Sequence, residues 1–118
     1  TMQAKHSDGQ SAERLAEAFL TQRGLKVLER NWRVRGGEID LICEEKETLV
    51  FVEVRLRGNA AFGGAAASIT PAKQRRIILA ARHYLAGKRE RPCRFDAVLL
   101  DTLDASRIEW IPDAFLAE

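Results

Sequence analysis

Long apolar runs are missing from this chain of 118 residues. None approaches the roughly 20 residues needed to cross a bilayer, so a membrane-embedded protein is not expected. The first residues, Thr1-Met2-Gln3-Ala4-Lys5-His6-Ser7-Asp8, lack the apolar stretch of a secretory signal, and the cytoplasm is the expected compartment. Cysteine is scarce. Cys43 and Cys93 have neither close spacing nor a companion His cluster, which argues against a zinc site needing about four ligands. Buried free thiols are the expectation, with a disulfide as the alternative. A strong charge of one sign is also absent: the net charge is +2. There is length for one domain and one core, with residues 1–10 expected as a frayed polar tail and 11–118 as the folded unit.

What is present begins with charge distribution. Between Lys73 and Arg94 lie Lys73, Arg75, Arg76, Arg82, Lys88, Arg89, Arg91 and Arg94 against the single acid Glu90. From Phe95 onward the acids are Asp96, Asp101, Asp104, Glu109, Asp113 and Glu118 against Arg107 alone. Such asymmetry can draw a polyanion to one side of a molecule, although a solvated helix face explains it equally well.

The elements read in the order α-β-β-β-α-β-β. Ser11 can cap a helix carrying Ala12, Leu15, Ala16, Phe19 and Leu20, with Gly24 ending it. Leu25–Arg35 reads as an extended segment bent near Asn31, and Gly36-Gly37 as a turn. Two strand-like runs follow, Glu38–Cys43 and Leu49–Leu56. The Gly- and Ala-rich stretch Arg57–Thr70 is a loop, and Thr70-Pro71 opens a helix running to Ala86 with Ile77, Ile78, Ala81, Tyr84 and Leu85 on its apolar side. Phe95–Leu100 and Arg107–Ile111 complete the set.

The central hairpin carries the candidate chemistry. Strand parity puts Glu38, Asp40 and Ile42 on one face and Ile39, Leu41 and Cys43 on the other. A turn centred between Lys46 and Glu47 sets Asp40 opposite Glu53, Ile42 opposite Phe51 and Glu38 opposite Arg55. Lys46-Glu47 is a poor two-residue turn, so a longer loop with the same centre is expected. In that register the two acidic side chains start about 5 Å apart. Something must then relieve their repulsion: a shared proton, a base or a cation. A hard cation such as Mg²⁺ commonly takes one or two carboxylates plus waters and phosphate oxygens. Ordinary ion pairs, Glu38 with Arg55 and Asp40 with a neighbouring base, are the plain alternative.

Arg-Gly-Gly-Glu-Ile-Asp-Leu-Ile (35–42), Val-Phe-Val-Glu-Val-Arg-Leu-Arg (50–57), Phe-Gly-Gly-Ala-Ala-Ala-Ser-Ile-Thr-Pro-Ala-Lys-Gln (62–74) and Arg-Phe-Asp-Ala-Val (94–98) together resemble the YraN family of uncharacterised bacterial proteins. That family is grouped with the PD-(D/E)xK nuclease superfamily. The resemblance implies a restriction-endonuclease-like α/β fold, a central mixed sheet flanked by helices. It also implies a Mg²⁺ (or Mn²⁺) site and a nucleic-acid substrate, DNA favoured over RNA, with a homodimer by analogy. Carried over by position, Asp40 and Glu53 are the metal-binding acids, Glu13 the assisting acid of the first helix, and the Val54 backbone carbonyl a further ligand. Arg55 falls where the superfamily usually has lysine, and a guanidinium cannot serve as a base. Lys73 is the candidate replacement amine. Gln74, Arg76, Gly63 and Gly64 join Lys73 as candidate nucleic-acid contacts. A module that binds nucleic acid without turnover and a protein-interaction domain are the alternatives. Trp32 and Trp110 are expected in packing rather than base stacking.

Overall fold

The computed structural model describes residues 2–56, 69–101 and 107–117, with side chains from Gly9 onward. Its elements are α1 (Met2–Gln22), β1 (Lys26–Val34), β2 (Gly37–Glu45), β3 (Thr48–Leu56), α2 (Pro71–Leu85), β4 (Cys93–Leu100) and β5 (Ile108–Phe115). They form one five-stranded sheet in the order β1-β2-β3-β4-β5, antiparallel except for the parallel β3–β4 pair. The α/β class, the mixed sheet and the element order are those expected.

A parallel pair needs a long crossover, and α2 provides it. Thr70 caps α2 as expected, its Oγ1 accepting from the Lys73 N–H at 3.2 Å, with Pro71 in the first turn. α1 begins earlier than its sequence suggests, so Ser11 lies inside the helix and does not cap it. Gln3, Ala4 and Lys5 are good helix formers, and a single mid-helix Gly9 costs only about 1 kcal/mol.

The helices cover opposite faces of the sheet. Ala12, Ala16 and Leu20 of α1 pack on Leu41, Cys43, Val50, Val52, Val98 and Leu100. Ile77, Ile78, Ala81 and Tyr84 of α2 pack on Ile39, Ile42, Leu49, Phe51, Phe95 and Leu99. β4 is buried on both sides, which is why its sequence reads as a nearly unbroken apolar run. β5 is an edge strand, where Pro112 costs no ladder bond. Cys43 is buried and free as expected, whereas Cys93 is free but exposed at the start of β4.

Three local readings are corrected. The β2–β3 turn is the tight Lys46-Glu47 pair, not a longer loop: Glu45 pairs with Thr48, and Lys46 takes a left-handed φ of 54°. Strand parity in β2 also fails at one point, since Ile39 and Leu41 pack on opposite faces of the sheet. The break falls at Asp40. Across from it, Asn31 has a φ of 53° and occupies the skipped position between the pairs Arg30–Leu41 and Trp32–Ile39. Finally, Glu38 does not face Arg55. It pairs with Arg33 of β1 at 3.4 Å, because the β2–β3 ladder ends at Leu41–Val52.

Candidate metal and phosphate site

The expected register, residue numbers summing to 93, holds from Glu45–Thr48 to Leu41–Val52 and then stops. One step further, the Asp40 side chain substitutes for the missing ladder. Its Oδ2 accepts the Val54 N–H at 2.8 Å. In an extended strand a residue's N–H and C=O project to the same side, so the Val54 carbonyl is directed toward the same fork. The fork thus brings Asp40 and Glu53 together although they are not ladder partners.

Glu53 is 3% exposed. Burial is the main force raising its carboxyl to about 8, with the Asp40 charge second. Burial also raises Asp40, opposed by the Val54 N–H and by a hydrogen bond from Glu53. Protonated Glu53 therefore donates to ionised Asp40, and near neutral pH the pair shares one proton and one negative charge. Lys73 balances that charge from the first turn of α2, its Nζ 2.8 Å from Glu53 Oε2. Arg55 stands further back, with Nη1 3.9 Å from the same oxygen.

Glu13 lies on α1, where desolvation and the Asp40 charge raise its carboxyl while a hydrogen bond with Asn31 lowers it. It senses Asp40 without joining it: among the described residues, no three His, Cys, Asp or Glu side chains gather as a ligand set. The donor set still fits a hard cation. The buried Glu53 and half-buried Asp40 carboxylates, with a backbone carbonyl, leave positions for water and phosphate, as Mg²⁺ sites commonly do. An ion entering there would displace the shared proton and the Lys73 amine from Glu53.

The other candidates separate. Gln74 turns its amide back to the Ile69 carbonyl at 3.0 Å. Arg76 is exposed on α2, and Gly63 and Gly64 lie outside the described residues. Trp32 donates to the Ala80 carbonyl at 3.1 Å, and Trp110 donates to Asp96 at 2.9 Å, so both serve packing. A groove of about 820 Å³ runs along α1 and β1, with Glu13 and Asn31 in its lining.

Sequence reasoning placed a bend near Asn31, which its left-handed φ bears out, without tying it to Asp40, and it missed Asp96 as an organising residue. Asn31 had a signal, the tolerance of Asn for left-handed backbone. Asp96 is fully buried and accepts from Arg94 Nε at 3.0 Å, from Trp110, and from the Asp113 N–H at 2.9 Å. It thereby ties down β5 where the β4–β5 register shifts. Its signal was an arginine two residues earlier on the same strand face.

These features define an α/β protein built on an open mixed sheet, with a proton-sharing carboxylate pair at a forked hairpin. Residues 12–100 match the model of the uncharacterised protein family UPF0102, and the chain belongs to that family. This bears out the YraN resemblance. The chain is 56% identical over 109 residues to a UPF0102 protein of Methylobacillus flagellatus, covering 92% of this chain and 96% of that one. It is likewise 54% identical to a UPF0102 protein of Dechloromonas aromatica, over 99% of both chains. A UPF0102 protein of Nitrosomonas europaea is 56% identical over 97% of this chain and 98% of its own.

Proposed function

We propose that this protein is a metal-dependent, nuclease-like protein of the cytoplasm that acts on the phosphodiester backbone of nucleic acid, DNA in preference to RNA. The observation that carries this reading is the Asp40–Glu53 pair. A buried carboxylate, Glu53, held against the half-buried Asp40 at the end of a ladder forms an arrangement that a cation stabilises and an apolar core would not retain. Asp40, Glu53 and the Val54 carbonyl would hold Mg²⁺ or Mn²⁺, which polarises a phosphoryl oxygen and acidifies a bound water. Glu13 would orient that water through Asn31 and the field of Asp40. Arg55 would offset negative charge developing on the phosphate. Lys73, unlike Arg55, can exchange a proton, and its contact with Glu53 puts an amine beside the reacting centre. Lys73 and Arg76 would contact the nucleic-acid strand. A homodimer goes with symmetric cutting of a duplex.

The test is a Mn²⁺ titration followed by thermal melting. Wild type should gain stability that Asp40→Asn and Glu53→Gln both lose; a site 100-fold above its Kd stabilises by about 2.7 kcal/mol. Melting indifferent to metal would overturn the metal reading. A second reading, nucleic-acid binding without turnover, is favoured by Arg55 in the usual lysine's place. Cleavage of a substrate panel, abolished by Asp40→Asn, would exclude it.

A further inference from the structure

Helix α2 carries no carboxylate at all, and from Thr70 to Arg89 the sequence contains neither Asp nor Glu. Its inner side is fully used, with Ile77, Ile78, Ala81 and Tyr84 in the core. Its outer side exposes Arg75, Arg76, Leu79, Arg82 and His83. At 100° per residue these five fall within about 120° of arc centred on Leu79, and Arg75 to Arg82 spans about 10 Å along the axis. Among the described residues none of these three arginines, nor His83, makes an ion pair. The other arginines of this basic stretch behave differently: Arg89, Arg91 and Arg94 are bound to Glu47, Glu44 and Glu45. The Arg35-Gly36-Gly37 turn leans on this same face, for a Cβ on Gly36 would meet Leu79 and one on Gly37 would collide with the Arg76 carbonyl. That brings exposed Arg35 to the rim.

We infer that the outer face of α2 is a phosphate-tracking surface for a nucleic-acid duplex, leading to the carboxylate fork at the helix's first turn. Charge complementarity identifies the occupant. Arg35, Arg75, Arg76 and Arg82 make no ion pair among the described residues and together form a positive field, and planar guanidinium suits phosphate oxygens in paired contacts. A duplex strand presents a phosphate every 3.4 Å or so of axis, so a face of this length meets more than one. Continuity adds to this, because Lys73 at the start of the same helix touches Glu53. An anionic membrane fits less well, since Leu79 is the sole large apolar side chain on the stripe and insertion needs an apolar face. The inference deepens the nucleic-acid part of the reading above and does not depend on metal chemistry.

The experiment is fluorescence anisotropy of a labelled duplex in EDTA, across about 50 to 200 mM salt. Wild type should bind with a steep salt dependence. Arg75→Ala/Arg76→Ala/Arg82→Ala should flatten the log–log slope by about 2.7 and weaken binding by on the order of 100-fold, from three lost phosphate contacts. The triple lysine variant should keep most of the slope. All three side chains are exposed, so melting should not move in either variant. An unchanged slope in the alanine variant would overturn the inference. So would absent duplex binding by wild type, or stronger binding to poly-glutamate or anionic vesicles than to duplex. EDTA removes divalent metal, so duplex binding is read here without any cation at the fork. Failure of the Mn²⁺ melting test would therefore remove the metal reading and leave this surface standing.

Discussion

Protonated Glu53 hydrogen-bonded to ionised Asp40 makes the folded protein hold a proton that the unfolded chain releases. The unfolded carboxyl titrates at 4.5 and the folded one has been pushed up to about 8, chiefly by burial. The folded state thus binds more protons between those values, and stability must fall as pH rises through that window. Metal-free protein should melt higher at pH 5.5 than at pH 8.5, and Glu53→Gln should remove much of that difference; a wild-type melting curve flat in pH would refute the shared proton. Lys73 acts in the opposite sense, lowering Glu53 through its hydrogen bond and charge. Lys73→Met should therefore move the pH at which stability is lost to a higher value, as read from melting across the same range. At this scale much was legible: Asp40, Glu53 and Lys73 were all expected together. The shared proton was one of three ways open to relieve two carboxylates, and choosing it required the burial of Glu53. The engagement of Gln74 with the Ile69 carbonyl was not legible, since it depends on how the backbone at Ile69 enters α2.

The elements were placed well because their signals are local. Thr70-Pro71 marks the start of α2, and the alternation in β3 fixes which residues face α2. The hairpin register was right because the turn is centred between Lys46 and Glu47, as the pairing of Glu45 with Thr48 shows. The face switch at Asp40 was hidden because it belongs to two strands at once, the kink at Asn31 in β1 and the fork in β2. Likewise the exposed terminus of β4 gave no hint in the sequence that Cys93 would be left outside. Two substitutions probe these junctions. Gly37→Ala should destabilise by about 3 kcal/mol in denaturant unfolding, since the added methyl meets the Arg76 backbone, which cannot swing aside. Asp96→Ala should cost about 3 to 5 kcal/mol, because it leaves the Arg94 guanidinium, the Trp110 indole and the Asp113 amide without their acceptor. Asp96→Asn, which keeps acceptor capacity on one oxygen only, should fall between.

For the molecule as a whole, the sheet is shared by two cores that meet only across it, one under α1 and one under α2. Among the described residues no helix is long and apolar enough to cross a membrane. β2, β3 and β4 contribute to both cores, while β1 and β5 lie at the edges. Hydrogen exchange should follow that order, slowest in Leu41–Cys43, Val50–Val52 and Ala97–Leu99, and earlier in β5. Equal protection of β5 and β4 would contradict the edge assignment. The two sulfur atoms differ in a way that has practical value. Burial pushes the Cys43 thiol up to about 12 and hides it, whereas Cys93 is exposed beside Arg91. A maleimide dye should attach once, at Cys93, near the end of the sheet remote from Asp40. The native sequence thus offers a single optical reporter, without any cysteine having to be engineered in or out.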